Sequence, residues 1–265
     1  MTTGALIFAY NNEQTDYVSM AIWCAKNIQR HLGIPVALVT DKPVESAVFA
    51  QVICVASPGT NSRYFSDYAS NVVWHNSTRA NAYELSPWDQ TLVLDADYVV
   101  ASDCLNTVLH GQQDFLAHRW AYDITNLDDF SGLNYFGNYC MPMWWATVMM
   151  FRRSKKIKMM FETMAMIRDN WTHYRRLYAN GVDTYRNDHA LSIALNVVNG
   201  HVSDYAGIPW KLASLTPEHQ LTQLAIDSYQ VEFMSSTSPK KIILHGQDFH
   251  AMGKKQLGAI VGNPS

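Results

Sequence analysis

Short apolar runs and a helical repeat alternate along the start of the chain. The runs at 4–10, 36–40 and 48–55 have the length of buried strands and lack polar alternation. The apolar side chains at helical spacing between the first two runs are Val18, Ala21, Ile22, Ala25, Ile28 and Leu32. Gly33 and Pro35 then end the helix. Strand, helix and strand at this spacing predict a βαβ unit with a parallel sheet and a right-handed crossover.

A further apolar run, at 91–100, is interrupted by Asp95 and Asp97. Residues at i and i+2 of a strand point to the same side, so both carboxylates aim at one place. Carboxylates at the edge of a core repel each other and lose hydration, and a hard divalent cation such as Mg²⁺ or Mn²⁺ relieves both costs. The tripeptide alone leaves a second interpretation open, which is a strand that ends in a polar turn.

The remaining elements are less regular. A polar stretch covers 57–76, and Ser77 or Thr78 can cap a short helix that follows it. The expected later strands are 115–118, 147–151 and 241–244, and the expected later helices are 154–177 and 187–198. Between them, 120–145 is predicted to be a long aromatic loop, and such loops within a compact domain are usually functional or mobile.

Composition describes a well-buried globular protein of 265 residues, with 48% hydrophobic and 16% charged residues. The net charge of −3 shows no global basic field of the kind that attracts nucleic acid or membrane surfaces. The four cysteines lie far apart and predict free thiols in a reducing compartment. The N-terminus lacks a signal peptide, and the apolar stretch 141–151 is too short to span a bilayer, so a cytoplasmic location is expected.

One segment departs from this charge balance. Eight of the twenty basic residues lie between 152 and 176, opposed within the segment only by Glu162 and Asp169. The eight are Arg152, Arg153, Lys155, Lys156, Lys158, Arg168, Arg175 and Arg176. A solvated helix face is one interpretation, and a surface for an acidic acceptor or a phosphate backbone is the other.

The motif that carries a family resemblance is Ser86-Pro-Trp-Asp-Gln-Thr-Leu-Val-Leu-Asp-Ala-Asp97. With the βαβ start and the polar helix before it, this block resembles the GT-A glycosyltransferases, most closely the glycogenin and galactosyltransferase group (family 8). The resemblance implies one α/β domain over 1–265, with a mixed, mostly parallel sheet flanked by helices. Residues 1–101 would bind the nucleotide sugar, and 102–265 would form the acceptor-binding and C-terminal part.

The same resemblance implies a metal site. Asp95 and Asp97 would hold Mn²⁺ or Mg²⁺ on the donor diphosphate, with His245 at the end of a late strand as third ligand. His250 is the alternative, because His250-Ala-Met-Gly253-Lys254 is closer to the family's His-x-x-Gly element. The family's Lys-Pro-Trp ending is absent, and Lys254 is chosen as the lysine that contacts phosphate.

The resemblance also implies roles for other residues. Those expected to bind the donor are Ala9, Tyr10, Asp41, Arg79, Asp95, Ala96, Asp97 and Lys254. Tyr10 would stack on the base, and Arg79 would reach the sugar and phosphates. Asp188 would orient the transferred sugar, with Arg79 and Asp188 as the catalytic pair. The structural alternatives are an ordinary surface arginine and a helix cap.

The reaction implied is transfer of a hexose or pentose from a uridine diphosphate sugar to an acceptor hydroxyl. The compact chain also looks like small bacteriophage glycosyltransferases, which implies a 5-hydroxymethylated base in DNA as acceptor, contacted by the basic helix 152–176, in the host cytoplasm. A saccharide or protein acceptor is the alternative.

A different class of protein also fits the motif. A phosphohydrolase of the haloacid dehalogenase type would use Asp95 as nucleophile. That motif lies on the first strand of its domain, whereas a long α/β segment precedes it here, and Asp128-Asp129 falls in the predicted loop rather than in a later acidic element.

Overall fold

The computed structural model describes residues 1–56, 61–65, 68–127, 130–179, 184–202 and 205–262. Part of the polar stretch 57–76 and the pair Asp128-Asp129 lie outside the described residues. In chain order the strands are β1 (Thr3–Phe8), β2 (Val36–Thr40), β3 (Gln51–Cys54), β4 (Asn61–Phe65), β5 (Ser70–Trp74), β6 (Gln90–Asp95), β7 (Tyr98–Val99), β8 (Phe115–His118), β9 (Ala121–Asp123), β10 (Tyr135–Phe136), β11 (Met141–Pro142), β12 (Trp145–Arg152), β13 (Leu212–Leu215), β14 (Gln220–Ala225), β15 (Ser228–Met234), β16 (Pro239–His245) and β17 (Phe249–Ala251).

The helices are α1 (Tyr17–Leu32), α2 (Ala82–Leu85), α3 (Leu105–His110), α4 (Lys155–Asp169), α5 (Trp171–Tyr178), α6 (Asn187–Val198) and α7 (Lys254–Gly262). Short 3-10 helices cover Asn76–Asn81 and Ser131–Leu133. Within the described residues, no helix is long and apolar enough to cross a membrane.

A six-stranded sheet in the order β3-β2-β1-β6-β12-β8 forms the centre of the molecule. The first four strands are parallel, and β12 runs antiparallel to both of its neighbours. Hydrophobic clusters cover both faces of this sheet, which explains why its strands read as continuous apolar runs. The expected α/β class, with a mostly parallel sheet flanked by helices, is confirmed. The division at residue 101 stays a prediction.

The register of this sheet brings functional side chains to one edge. Phe8 at the end of β1 lies opposite Asp95 at the end of β6. Because β12 is antiparallel to β6, with Val148 opposite Leu94, its first residues lie at that same edge. The carboxyl ends of parallel strands commonly form the ligand crevice in such folds.

A second sheet, in the order β7-β17-β13-β9, consists of short strands from distant parts of the chain. β7 pairs antiparallel with β17, so that Tyr98 lies opposite His250. The Ala251 N–H donates to the Asp97 carbonyl at 3.0 Å and extends this pairing. The chain segment after Asp95 is thereby fixed beside a segment near the C-terminus.

Two predictions about the middle of the chain are wrong. The helix expected at 154–177 is divided into α4 and α5 at Asn170, whose side-chain amide donates to the Met166 carbonyl at 2.9 Å. The predicted loop 120–145 contains strands β9, β10 and β11. Arg119 organises this segment, since its guanidinium lies 4.2 Å from the Trp120 ring and donates to the Asn134 carbonyl at 2.8 Å.

Candidate functional site

A cleft of about 420 Å³ lies along the carboxyl edge of the six-stranded sheet. The predicted site residues that line it are Tyr10, Arg79, Asp95, Ala96, Asp97, Asp188 and Lys254. Ala9 lies in the hydrophobic core beside the cleft instead, and its N–H donates to the Val39 carbonyl at 2.9 Å. Residues from both ends of the chain therefore meet in one concave site.

Three potential metal ligands converge in this cleft. Asp95, Asp97 and His250 each offer one ligand atom, and these atoms lie within 4.8 Å of one another. His250 Nε2 is 3.4 Å from Asp97 Oδ2. Two carboxylates and an imidazole are a donor set that suits Mn²⁺, and with retained water ligands also Mg²⁺. The residues present therefore fit a divalent cation.

His245 is not brought to this cluster. It ends β16 in a separate three-stranded antiparallel sheet, and its Nδ1 atom lies 2.6 Å from Ser228 Oγ. His250 lies near the carboxylates because β17, and not β16, pairs with β7. Of the two histidines considered as third ligand, the structure places His250 beside Asp95 and Asp97.

Each of the two carboxylates has a cationic partner from another element. Arg79 is 1% exposed, contacts Asp95 Oδ1 through Nη2, and donates from Nη1 to the Ala146 carbonyl at 2.5 Å. Lys254, the first residue of α7, is 6% exposed and contacts Asp97 Oδ2 through Nζ. Arg79 is thus not a surface residue, and Lys254 lies beside the candidate metal ligands.

Asp188 lies in the first turn of α6 and faces the cleft. Its Oδ1 atom accepts from the Ala146 N–H at 2.9 Å, and Oδ2 lies 3.3 Å from Arg186 Nη2. Burial alone would raise the pKa of Asp188, but the Arg186 charge and the Ala146 hydrogen bond outweigh it and hold this pKa below its usual value. Asp188 therefore presents a carboxylate, oriented by β12, to the cleft.

Tyr10 and Asp41 lie at the ends of β1 and β2. The Tyr10 hydroxyl is 2.6 Å from Thr78 Oγ1, and the side chain is only 4% exposed. Burial raises the pKa of Tyr10 to about 12, the Thr78 hydrogen bond lowers it, and nearby Asp41 raises it further. Tyr10 is therefore a neutral phenol that offers the cleft only a small part of its ring.

Several lining residues are absent from the sequence-based set. Tyr64 and Trp74 belong to the β4–β5 hairpin, which lies within the stretch predicted to be polar. This hairpin is tied to the β1–α1 loop, since Asn12 Nδ2 donates to the Val73 carbonyl at 3.1 Å. The apolar triplet Val72-Val73-Trp74, of which Val72 is buried, is the feature of the sequence that could have predicted strand β5 of this hairpin.

The basic residues of 152–176 are largely engaged within the protein. Arg152 donates to the carbonyls of Leu109, Gly111 and Gln113, and Arg153 to those of Ser86 and Trp88. Arg168 bonds to the Ser77 carbonyl and to the side chains of Asn81 and Asp169. Lys158 lies near Glu84 and Glu162. These contacts favour a structural role for much of the positive charge.

The start of this basic segment is also remote from the cleft. Arg152 lies opposite Gln90, the first residue of β6, whereas Asp95 is the last. The length of β6 separates these ends by about 17 Å at 3.3 Å per residue. Lys155 and Lys156, which begin α4, therefore lie near the edge of the sheet opposite the carboxylates.

Neither a protein-family model nor a curated protein matches the chain. Among solved structures, the glycosyltransferase GlyE from Streptococcus pneumoniae TIGR4 is 14% identical, with a TM-score of 0.44 over 79% of this chain and 46% of that chain. The galactosyltransferase LgtC, solved with donor and acceptor sugar analogs, is 15% identical, with a TM-score of 0.46 over 72% of this chain and 70% of that chain. Mouse xyloside xylosyltransferase 1 in apo form is 9% identical, with a TM-score of 0.44 over 76% of this chain and 84% of that chain. The chain spans less than half the length of GlyE, and similarities at this level establish no activity.

Proposed function

We propose that this protein is a metal-dependent glycosyltransferase that moves a sugar from a nucleoside diphosphate sugar to an acceptor hydroxyl. The observation that carries the proposal is the convergence of Asp95, Asp97 and His250 ligand atoms within 4.8 Å. They meet in a cleft that the ionised Asp188 also faces. Such a cation stabilises a departing diphosphate, and a nearby carboxylate stabilises an oxocarbenium-like sugar.

The bound metal would supply Lewis-acid neutralisation of the charge that develops on the departing nucleoside diphosphate. The buried Arg79 and Lys254 side chains add positive charge beside the same phosphates. Asp188, held by the Ala146 N–H, orients the transferred sugar and stabilises positive charge at its anomeric carbon. The side chains of Phe8 and Trp145 give this end of the cleft an apolar lining.

The base of a uridine diphosphate sugar is assigned to the ends of β1 and β2. Ala9, Tyr10 and Asp41 lie there, although only Tyr10 of these three lines the cleft. Ala96 is the small residue between the two candidate metal-binding carboxylates. A small residue at 96 lets the diphosphate approach the backbone of this turn. The β4–β5 hairpin, with Tyr64 and Trp74, adds aromatic surface for a base or a sugar ring.

For the acceptor, the contacts of the basic residues favour a neutral saccharide over a 5-hydroxymethylated base in DNA. A phosphate backbone at the cleft would approach Asp95, Asp97 and Asp188, while Lys155 and Lys156 lie near the opposite edge of the sheet. Like charges at close range would weaken such binding. The DNA acceptor therefore requires a docking path other than the start of α4.

The test is a transfer assay with isotope-labelled uridine diphosphate sugars and Mn²⁺. Three arms contain oligosaccharides, DNA with 5-hydroxymethylated bases, or no acceptor. We expect donor hydrolysis that stops with a chelator and transfer in the oligosaccharide arm. Transfer only to DNA would overturn the acceptor preference, and failure of every donor to bind or react would overturn the glycosyltransferase proposal.

Asp97→Ala should abolish metal-dependent donor binding in a titration, because it removes one of two ligating carboxylates. Asp103→Ala is the matched control, since Asp103 is exposed and does not line the cleft. Unchanged binding by the Asp97 variant would refute the metal site. Trapping of beryllofluoride on Asp95, without any use of nucleotide sugars, would instead support the phosphohydrolase.

A further inference from the structure

Charges in the cleft occur as contacting pairs of opposite sign. Each of its three carboxylates lies against one cationic side chain: Asp95 against Arg79, Asp97 against Lys254, and Asp188 against Arg186. Arginine, lysine and carboxylate groups that line the cleft thus contribute three positive and three negative charges. The cleft is electrostatically balanced before any metal or nucleotide enters.

The two cationic side chains nearest the candidate metal ligands are held in place by the protein. Arg79 and Lys254 are both buried, and Arg79 is held by a second bond to the Ala146 carbonyl. A buried charge that loses its partner without replacement is strongly unfavourable. A divalent cation that enters alone therefore adds two positive charges to a balanced site and also takes carboxylate charge away from Arg79 and Lys254.

A nucleoside diphosphate removes this excess. Its phosphates carry negative charge that can pair with the metal and with both displaced cations at once. The diphosphate alone faces the converse problem, because Asp95 and Asp97 then repel its phosphates. Metal and diphosphate together leave the cleft close to neutral, which neither achieves alone.

We propose that Arg79 and Lys254 are internal counter-ions that couple metal binding to nucleoside diphosphate binding. The free protein binds the metal weakly, and the diphosphate tightens metal binding. By thermodynamic reciprocity the metal tightens diphosphate binding by the same factor. This inference rests on the proposed function, because it takes a nucleoside diphosphate as the ligand of the cleft.

Lys254 sets the strength of this coupling. Its Nζ atom contacts Asp97 Oδ2. The same oxygen lies 3.4 Å from Nε2 of His250, the third candidate metal ligand. Lysine and metal therefore compete for one oxygen atom. Arg79 contributes through Asp95, but its bond to Ala146 also makes it part of the structural frame.

The experiment measures Mn²⁺ binding by the electron paramagnetic resonance signal of free Mn²⁺, with and without saturating uridine diphosphate. Each titration is corrected with a protein-free titration of the same composition, because uridine diphosphate itself binds Mn²⁺. For the unmodified protein we expect the nucleotide to tighten Mn²⁺ binding by about 10-fold or more, within the usual range of coupling between sites. In Lys254→Met, Mn²⁺ alone should bind several-fold more tightly, and the coupling should fall to within about 3-fold.

Lys255→Met is the matched control, because Lys255 is the exposed neighbour on the same helix and its replacement changes net charge equally. It should keep the coupling of the unmodified protein. Circular dichroism is used to check that each variant is folded. The unmodified protein tests the coupling without any substitution.

The outcomes separate the two proposals. If Mn²⁺ binds equally well with and without the nucleotide, the coupling is wrong and the metal site remains. Weaker binding of Mn²⁺ alone to Lys254→Met would overturn lysine as its competitor. If the unmodified protein binds neither Mn²⁺ nor the nucleotide, the proposed function itself fails.

Discussion

The two sheets that build the cleft differ in how their strands are held. β6 of the six-stranded sheet is six residues long and lies between β1 and β12, covered on both faces. In the four-stranded sheet, β7 has two residues and β17 has three. The first sheet supplies Asp95 at the end of a rigid strand, whereas the second brings His250 and Lys254 to it. Half of the candidate site thus depends on pairing between short, distant strands.

The largest effect is expected from a substitution that removes a packed side chain from the second sheet. Phe249 is fully buried on β17, and its ring meets the Tyr229 ring at 5.4 Å in an edge-to-face contact. Phe249→Ala should lower the free energy of unfolding by about 3–5 kcal/mol, because it leaves a cavity. Urea denaturation measures this, with Leu94→Ala on β6 as comparator, where about 2–5 kcal/mol is expected. A loss below about 1 kcal/mol for Phe249→Ala alone would show that the second sheet is loosely packed.

A second test asks which histidine acts as the third metal ligand beside Asp95 and Asp97. His250→Ala should weaken Mn²⁺ binding in the presence of uridine diphosphate by at least about 10–100-fold, a loss typical even of residues behind a metal ligand. His245→Ala is the matched control, since His245 bonds to Ser228 outside the cleft, and its affinity should stay within about 2-fold. The reverse result would return His245 to the metal site. Isothermal titration measures both variants.

The same contrast explains what could be predicted from the sequence. The sequence is sufficient to recognise β1, β2, β6 and α1. A buried strand shows as a short apolar run, and an amphipathic helix shows as apolar residues at helical spacing. The position of the Asp-x-Asp motif could therefore be predicted as well, because Asp95 ends β6. A strand of two or three residues has no period to detect, so the pairing of β7 with β17 could not be inferred.

The choice between the two histidines could not be made from the sequence for the same reason. His245 follows the longer apolar run, which favoured it, yet that run forms β16 and pairs with β15. The counter-ion role of Lys254 was equally hidden, because its contact with Asp97 joins distant parts of the chain. The basic segment 152–176 left two interpretations open, since a charge cluster in sequence does not show which backbone carbonyls its side chains will bind.

A third test probes the junction of the two sheets. His118 ends β8, is fully buried, and its Nδ1 atom lies 3.1 Å from the carbonyl of Trp210, shortly before β13. Burial lowers the pKa of His118 to about 4, against a smaller opposing effect of the Trp210 hydrogen bond. Below the unfolded pKa near 6.5 the unfolded chain binds more protons, so stability is full above that pH and is lost as pH falls towards 4.

Between pH 7 and 5.5 this histidine should reduce the free energy of unfolding by about 1 kcal/mol. His118→Gln should remove that share of the pH dependence, while His110→Gln, at an exposed position, should keep it. Urea denaturation at both pH values measures the slopes. Identical slopes for the unmodified protein and His118→Gln would show that His118 is not a neutral buried link between the sheets.

The smallest effect is expected at the end of the six-stranded sheet that faces away from the cleft. Lys155 is exposed at the start of α4, and Lys156 lies 4.7 Å from the Tyr205 ring. Lys155→Glu with Lys156→Glu should fold normally, because acidic residues suit the first turn of a helix. Sugar transfer should change by less than about 2-fold, since both lysines follow the end of β12 that pairs with the start of β6, and the length of β6, about 17 Å, separates that end from Asp95. Fluorescence anisotropy with DNA at two salt concentrations is the decisive measurement, because a strong, salt-sensitive loss of binding would restore this helix as a phosphate-backbone surface.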